Sequence, residues 1–110
     1  MCIVNKEKDK LIIGGKEISF ENNIETMIKF FNCIIVLLMD ENIPDNNIEA
    51  FDYMGNKLWD ISSIIRFDYQ EGYISLRKED ERTFSVISYN GVKFKIDVST
   101  FQILNQSITK

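Results

Sequence analysis

The sequence predicts an all-β protein, an antiparallel meander of about nine or ten short strands with at most one short helix. Two observations lead to this fold class. The segments Ala50–Trp59 and Lys95–Leu104, about 45 residues apart, share one plan of apolar residues, an aspartate, a short turn and an apolar pair. The remaining chain consists largely of short apolar or alternating runs separated by residues that favour tight turns.

The two matching segments are predicted to be β-hairpins. An aspartate side chain accepts hydrogen bonds from backbone amides two residues further on, so Asp52 and Asp97 are expected to open tight turns. Gly55 supplies the positive φ that a three-residue hairpin loop requires.

The N-terminal part of the chain also contains strand signals. Gly14-Gly15 separates the apolar runs Lys10–Ile13 and Lys16–Phe20, which predicts a two-residue hairpin. The segment that follows is ambiguous, because Ile24, Met27, Ile28 and Phe31 fall at helical spacing while the β-rich surroundings favour a bulged strand. We favour the strand. Cys33–Met39 is continuously apolar and rich in β-branched residues, which is typical of a strand buried on both faces.

The polar segment Asp40–Asn47, with the only proline, is predicted to be a loop. The second half of the chain continues the series of strands beyond it. The Asn90-Gly91 pair predicts a type I′ turn. The expected elements are a hairpin over Ile48–Ile61 and strands over Ile64–Tyr69, Tyr73–Arg77, Thr83–Tyr89, Val92–Val98 and Phe101–Ile108.

A chain of 110 residues predicts a single domain, residues 1–110. Two repeats of blade length cannot close a propeller. The alternatives are therefore a sandwich, a small barrel or an incomplete propeller-like sheet. Exposed strand edges would need covering, and a second copy of the chain is one candidate for covering them.

The stretch Ile48–Trp59 resembles the repeat of quinoprotein-type β-propellers, whose blades carry the plan Ala-x-Asp-x-x-Gly-x-x-x-Trp. The resemblance implies that Trp59 packs one sheet against the next. The second segment departs from the plan, with Phe101 at the glycine position and Leu104 at the tryptophan position. Neither position suggests a quinone site.

Over most of its length the chain is also similar to short bacterial proteins of unassigned function. They share an Ile-Ile-Val-Leu-Leu strand, here Ile34–Leu38, a hairpin ending in Leu-Trp, and an Asp-x-x-Thr hairpin, here Asp97–Thr100. Small proteins of this kind often serve as immunity or accessory proteins, so the similarity implies a binding role by analogy.

The composition argues against an enzyme. The chain has no histidine, which removes the commonest general base and the commonest metal ligand. Cys2 and Cys33 lack the spacing of a zinc site or a CxxC redox pair. Gly14-Gly15 is followed neither by a predicted helix nor by Gly-Lys-Ser/Thr, so it does not predict a phosphate-binding loop. We expect no catalytic residues, no cofactor and no metal.

Charge and cysteine content predict the compartment and the partner. The net charge of −4 argues against nucleic acid as a partner. The longest apolar run, Phe30–Met39, is too short to span a bilayer. Two cysteines and the lack of a signal peptide predict a reducing cytoplasm. Between residues 21 and 60, eight acidic residues face only two lysines, an excess that would attract a basic partner.

The leading functional hypothesis is a non-catalytic intracellular protein that neutralises or escorts a basic protein partner, for example an immunity protein against a basic toxin domain. The expected partner-binding residues are Asp40, Glu41, Asp45 and Glu49. The second hypothesis is an assembly module that forms a homo-oligomer through its sheet edges. The third is a small-ligand site in a barrel mouth lined by Tyr69, Tyr73 and Tyr89.

Overall fold

The computed structural model describes residues 4–65 and 72–108, which form eleven strands in three antiparallel sheets and one 3-10 turn, Ile61–Ser63. The first sheet contains β1–β3, the second β4–β7 and the third β8–β11, and the strand order in each sheet follows the chain. In chain order the strands are Val4–Glu7, Lys10–Ile13, Lys16–Ser19, Ile24–Lys29, Ile34–Leu38, Ile48–Phe51, Lys57–Asp60, Tyr73–Lys78, Thr83–Ser88, Val92–Asp97 and Ile103–Ile108.

The predicted all-β meander is therefore confirmed. Each sheet is a simple meander, β1 contacts β4, and β4 and β5 contact β8. The first strands of successive sheets are thus in contact. The sheets do not close into a barrel within the described residues, which rules out the small-barrel alternative.

The ambiguous segment after residue 23 is a bulged strand, as favoured. Ile24–Lys29 pairs with β5, and the register shifts between Ile24 and Thr26. The strand predicted over Ile64–Tyr69 is wrong at its start, because Ile64 and Ile65 donate their N–H groups to the Ile61 carbonyl and continue the turn. Residues 66–69 lie outside the described residues.

The central sheet is covered on both faces because all five residues of β5 are buried. The side chains of Ile34, Val36 and Leu38 join a core with β2 of the first sheet, whereas Ile35 and Leu37 join the core shared with the third sheet. This confirms the prediction for Cys33–Met39. Cys33 itself is buried, and its burial raises the pKa of the thiol to about 11.

The two matching segments are hairpins built on the same turn chemistry. Asp52 Oδ1 accepts N–H bonds from Met54 and Asn56, both at 2.9 Å. Asp97 Oδ1 accepts from Ser99 at 2.7 Å and from Thr100 at 3.0 Å. These bonds stabilise the ionised carboxylates and lower the pKa of both aspartates.

The second hairpin loop is one residue longer than the first. The Asp52 N–H reaches the Asn56 carbonyl, whereas the Asp97 N–H reaches the Gln102 carbonyl. The residue before each of those carbonyls has positive φ, 85° at Gly55 and 58° at Phe101, so Phe101 does take the glycine position.

The register of the two hairpins corrects the position expected for Leu104. Trp59 pairs with Ala50, two residues before Asp52, and the corresponding partner of Lys95 is Asn105. Leu104 instead lies at the bulge, as Leu58 does in the first hairpin. Because the second loop has one more residue, the residue equivalent to Trp59 is Asn105 and not Leu104.

Two other predicted turns have different outcomes. Gly14 and Gly15 both have positive φ, and Ile13 pairs with Lys16, so the two-residue hairpin is confirmed. The type I′ turn at Asn90-Gly91 is wrong, because only Gly91 has positive φ. The strands end at Ser88 and Val92, which leaves three loop residues, and the Gly91 N–H bonds the Ser88 carbonyl at 2.9 Å.

Trp59 packs between the second and third sheets. Its ring is stacked on Phe84 at 6.0 Å with an interplanar angle of 9°, and it makes an edge contact with Phe101 at 5.4 Å. Only 8% of the residue is exposed. Its indole N–H is buried without a hydrogen-bond partner in the described part of the chain.

We expect Trp59→Ala to lower the free energy of unfolding by about 3–5 kcal/mol, because it removes a large side chain between two sheets. Trp59→Phe is the matched control and should cost less, since it keeps one aromatic ring between the sheets and removes only part of the indole. Urea denaturation measures both. A loss below about 1 kcal/mol for Trp59→Ala would contradict the packing role.

Candidate functional site: an acidic cleft

A cleft of about 450 Å³ opens between the first and second sheets, beside the polar loop 40–47. We call it the acidic cleft. Three segments form its walls, which are the end of β3 with the residues after it, the loop, and β6 with β7. The lining residues are Ile18, Ser19, Phe20, Glu21, Asn22, Leu38, Pro44, Asp45, Asn46, Asn47, Glu49, Phe51 and Lys57.

The apolar part of the acidic cleft is aromatic and preformed. Phe20 and Phe51 meet edge to face with their ring centroids 5.8 Å apart. Phe51 belongs to the core between the first and second sheets, and Phe20 packs against that core. Because these rings are held by the packing of two sheets, the cleft presents an apolar surface without prior rearrangement.

The charged part of the acidic cleft contains three carboxylates and one ammonium. Glu21 and Asp45 are exposed, and neither forms an ion pair within the described ranges. Lys57 is shared by Glu49 Oε1 at 3.1 Å and by Asp60 Oδ2 at 3.3 Å. The positive charge of Lys57 is therefore already balanced, and the cleft has an excess of negative charge.

The ion pairs of Lys57 are reinforced by their neighbours. Burial opposes the charge of Lys57, but hydrogen bonds and charge from Glu49 and Asp60 outweigh it and raise the pKa of the lysine. Burial likewise opposes the charge of Asp60, but hydrogen bonds from Ser62 and Asn46, together with Lys57, lower its pKa. These groups stay ionised near neutral pH.

Asn47 anchors the loop at the base of the cleft. Its buried amide donates to the Leu38 carbonyl at 3.0 Å and to the Tyr73 carbonyl at 2.9 Å, and it accepts from the Tyr73 N–H at 2.8 Å. One side chain thus joins the loop to β5 and to β8. The neighbouring Asn46 has positive φ, and its side-chain oxygen accepts the Ser62 N–H at 2.8 Å.

Gly72 packs directly beneath the same loop. A Cβ atom added at this position would lie 2.6 Å from the Pro44 carbonyl oxygen and still closer to Ile43 Cγ2. Backbone at this distance cannot give way cheaply. The third sheet therefore supports the loop from below and limits its position.

The structure brings together two of the four predicted partner-binding residues. Asp45 and Glu49 line the acidic cleft, whereas Asp40 and Glu41 lie exposed elsewhere on the loop. Asp40 Oδ2 accepts a hydrogen bond at 3.2 Å from Asn22, which does line the cleft. Sequence reasoning did not select Glu21, although it counted this residue in the acidic segment, and it missed the aromatic surface of Phe20 and Phe51.

Two of the three tyrosines predicted to line a barrel mouth differ sharply in exposure. Tyr73 is buried and Tyr89 is 66% exposed. Tyr69 lies outside the described residues. With no closed barrel in the described fold, the barrel-mouth hypothesis is wrong.

The described residues contain neither a metal cluster nor a membrane-spanning helix. In residues 4–65 and 72–108, no three His, Cys, Asp or Glu side chains are placed to share a metal ion. Over the same ranges, no helix has the length and apolar character needed to cross a bilayer.

Residues 1–108 match the family of domains of unknown function DUF7957, and the chain belongs to this family. No curated protein matches the chain.

We expect Asn47→Ala to lower the free energy of unfolding by about 2–4 kcal/mol, because it leaves buried backbone groups of two sheets without partners. Asn42→Ala, an exposed asparagine in the same loop, is the matched control and should change stability by less than about 0.5 kcal/mol. Equal effects of the two substitutions in urea denaturation would show that the Asn47 amide does not anchor the loop.

Proposed function

We propose that this member of the DUF7957 family is a non-catalytic cytoplasmic protein that neutralises or escorts a basic protein partner. The acidic cleft would be its contact surface. The observation that carries the proposal is the combination of an excess of carboxylates with an aromatic surface in one preformed cleft. The free, buried Cys33 thiol supports the assignment to a reducing compartment.

The geometry suits a lysine or arginine side chain of the partner. Such a side chain has an apolar stem and a charged head, and it buries the stem while the head stays near polar groups. The half-buried ring of Phe20, held against the buried Phe51, offers apolar contact for the stem. Glu21 and Asp45 can receive the charged head without breaking an existing ion pair.

The charge of the cleft also suits rapid capture of a partner. Complementary charge accelerates encounter and selects against partners of the wrong sign. A basic toxin domain held by an immunity protein is one form of such an interaction. The absence of histidine from the chain supports a binding role over general acid–base catalysis.

The first experiment is affinity capture of the tagged protein from lysate of its own host, followed by purification of the partner retained. The association rate is then measured for wild type and two double variants. Glu21→Lys/Asp45→Lys reverses charge inside the cleft. Glu7→Lys/Glu25→Lys makes the same change in net charge at two exposed positions outside it.

We expect the cleft variant to associate at least about 10-fold more slowly at low salt, and the control variant to change by less than about 3-fold. Circular dichroism checks that both variants remain folded. If both variants associate equally slowly, net charge alone explains the effect. If neither variant is slowed, the acidic cleft does not contribute to recognition of the partner.

A further inference from the structure

The edge strand β11 differs from every other edge strand of the three sheets. The edges are β1 and β3, β4 and β7, and β8 and β11. Each of the first five carries two charged residues, whereas Ile103–Ile108 carries none. Charged side chains on an edge prevent pairing with another chain, so β11 lacks the protection that the other edges have.

The strand is also exposed to solvent along its length. All six residues of β11 are exposed, with Ile108 at 77% and Leu104 at 54%. Within the described ranges β11 pairs only with β10. Among the described residues, one side of its backbone therefore presents a row of hydrogen-bonding groups without a strand partner.

We infer that β11 pairs antiparallel with β11 of a second copy of this chain, which joins two four-stranded sheets into one. The pairing is isologous and closes at two copies, because each strand uses the same edge. No residue of β11 lines the acidic cleft, so this inference is independent of the proposed function.

The register of the third sheet defines how the two strands would meet. Gln106 pairs with Phe94 and so lies on the core side, whereas Asn105 and Ser107 pair with Lys95 and Lys93 on the other side. Residues directly opposite in an antiparallel pair point to the same side of the sheet. The two-fold axis must therefore pass through a residue position rather than between two residues.

An axis through Gln106 is favoured because it pairs side chains of like character across the interface. It places each Asn105 opposite Ser107 of the second copy, where polar side chains meet polar side chains. It places each Ile108 opposite Leu104 of the second copy, so that the most exposed apolar residues of the strand cover one another.

Charge favours this edge over the others. The chain has a net charge of −4, so two copies repel unless they meet at a neutral surface. In the joined sheet, β10 and its counterpart are three strand spacings apart, about 14 Å. Lys93 and Lys95 are then separated from the equivalent lysines by more than the screening length of about 8 Å at physiological salt.

The first test is the mass in solution at about 200 µM protein, a concentration at which pairing through one short strand is expected to be populated. The wild type should sediment at twice the chain mass of 12.9 kDa. Gln106→Lys places two lysine side chains directly opposite each other on the axis, with their Cβ atoms about 5 Å apart, and the like charges should restore the single-chain mass. Asn5→Lys adds the same charge to the edge strand β1 and should leave the dimer intact.

The second test locates the axis by cross-linking in a Cys2→Ser background. At Gln106→Cys the two Cα atoms would lie about 4.5–5.5 Å apart, within disulfide range. At Ser107→Cys they would lie beyond about 7 Å, outside that range. We expect oxidation to cross-link Gln106→Cys at least about 10-fold more completely than Ser107→Cys.

A wild-type monomer at this concentration would overturn the inference, as would a dimer that survives Gln106→Lys. Preferential cross-linking of Ser107→Cys would overturn the register. A dimer lost in Gln106→Lys, kept in Asn5→Lys and cross-linked at Gln106→Cys establishes the pairing.

Discussion

The whole structure depends on one strand that is buried on both faces. β5 supplies alternate side chains to two separate cores, and neither the first nor the third sheet could bury its own apolar face without it. A strand of this kind needs apolar residues at every position. The run Ile34–Leu38 meets that requirement, so β5 brings no polar side chain into either core.

Double burial removes the usual source of register in an antiparallel sheet. Where one face is polar, a slip of one residue exposes apolar groups and is strongly disfavoured. In β5 such a slip would exchange one set of apolar residues for another. Register must therefore come from the strand ends, where the Phe30 N–H bonds the Cys33 carbonyl and the Leu38 N–H bonds the Asn47 carbonyl. The side chain of Asn47 adds the bond to Tyr73, so the residue that positions the acidic loop also aligns the central and third sheets.

The sequence predicted what local chemistry determines. Asp52 with Gly55, and Gly14 with Gly15, specify their hairpins within a few residues, and the composition of β5 specifies its burial. β1 was not predicted, because Asn5, Lys6 and Glu7 show no alternation and the strand exists only through its pairing with β2. The residue types of Asn90-Gly91 match a two-residue turn. The loop has three residues because β9 ends at Ser88 and β10 begins at Val92.

The candidate site was predictable only in part for the same reason. Charge counting along the chain finds an acidic segment, and Asp45 and Glu49 belong to the cleft within it. It cannot separate them from Asp40 and Glu41, because the distinction depends on how the loop lies on the sheets. The contact of Phe20 with Phe51 joins residues of different sheets, and no pattern in either segment indicates it.

A stack of open sheets has two kinds of surface that must be protected: the apolar faces of the sheets and the unpaired backbone groups at their edges. Stacking covers the inner faces, and each edge must then be charged, covered or paired. Five edges here are charged, and the charges have a second consequence at β7, where Lys57 and Asp60 form the ion pairs that border the acidic cleft. The charged residues that discourage pairing at the β7 edge thus also form part of the border of the acidic cleft. At β11 the charge is absent, and an edge that is neither charged nor covered in the described fold is left with pairing as its remaining solution.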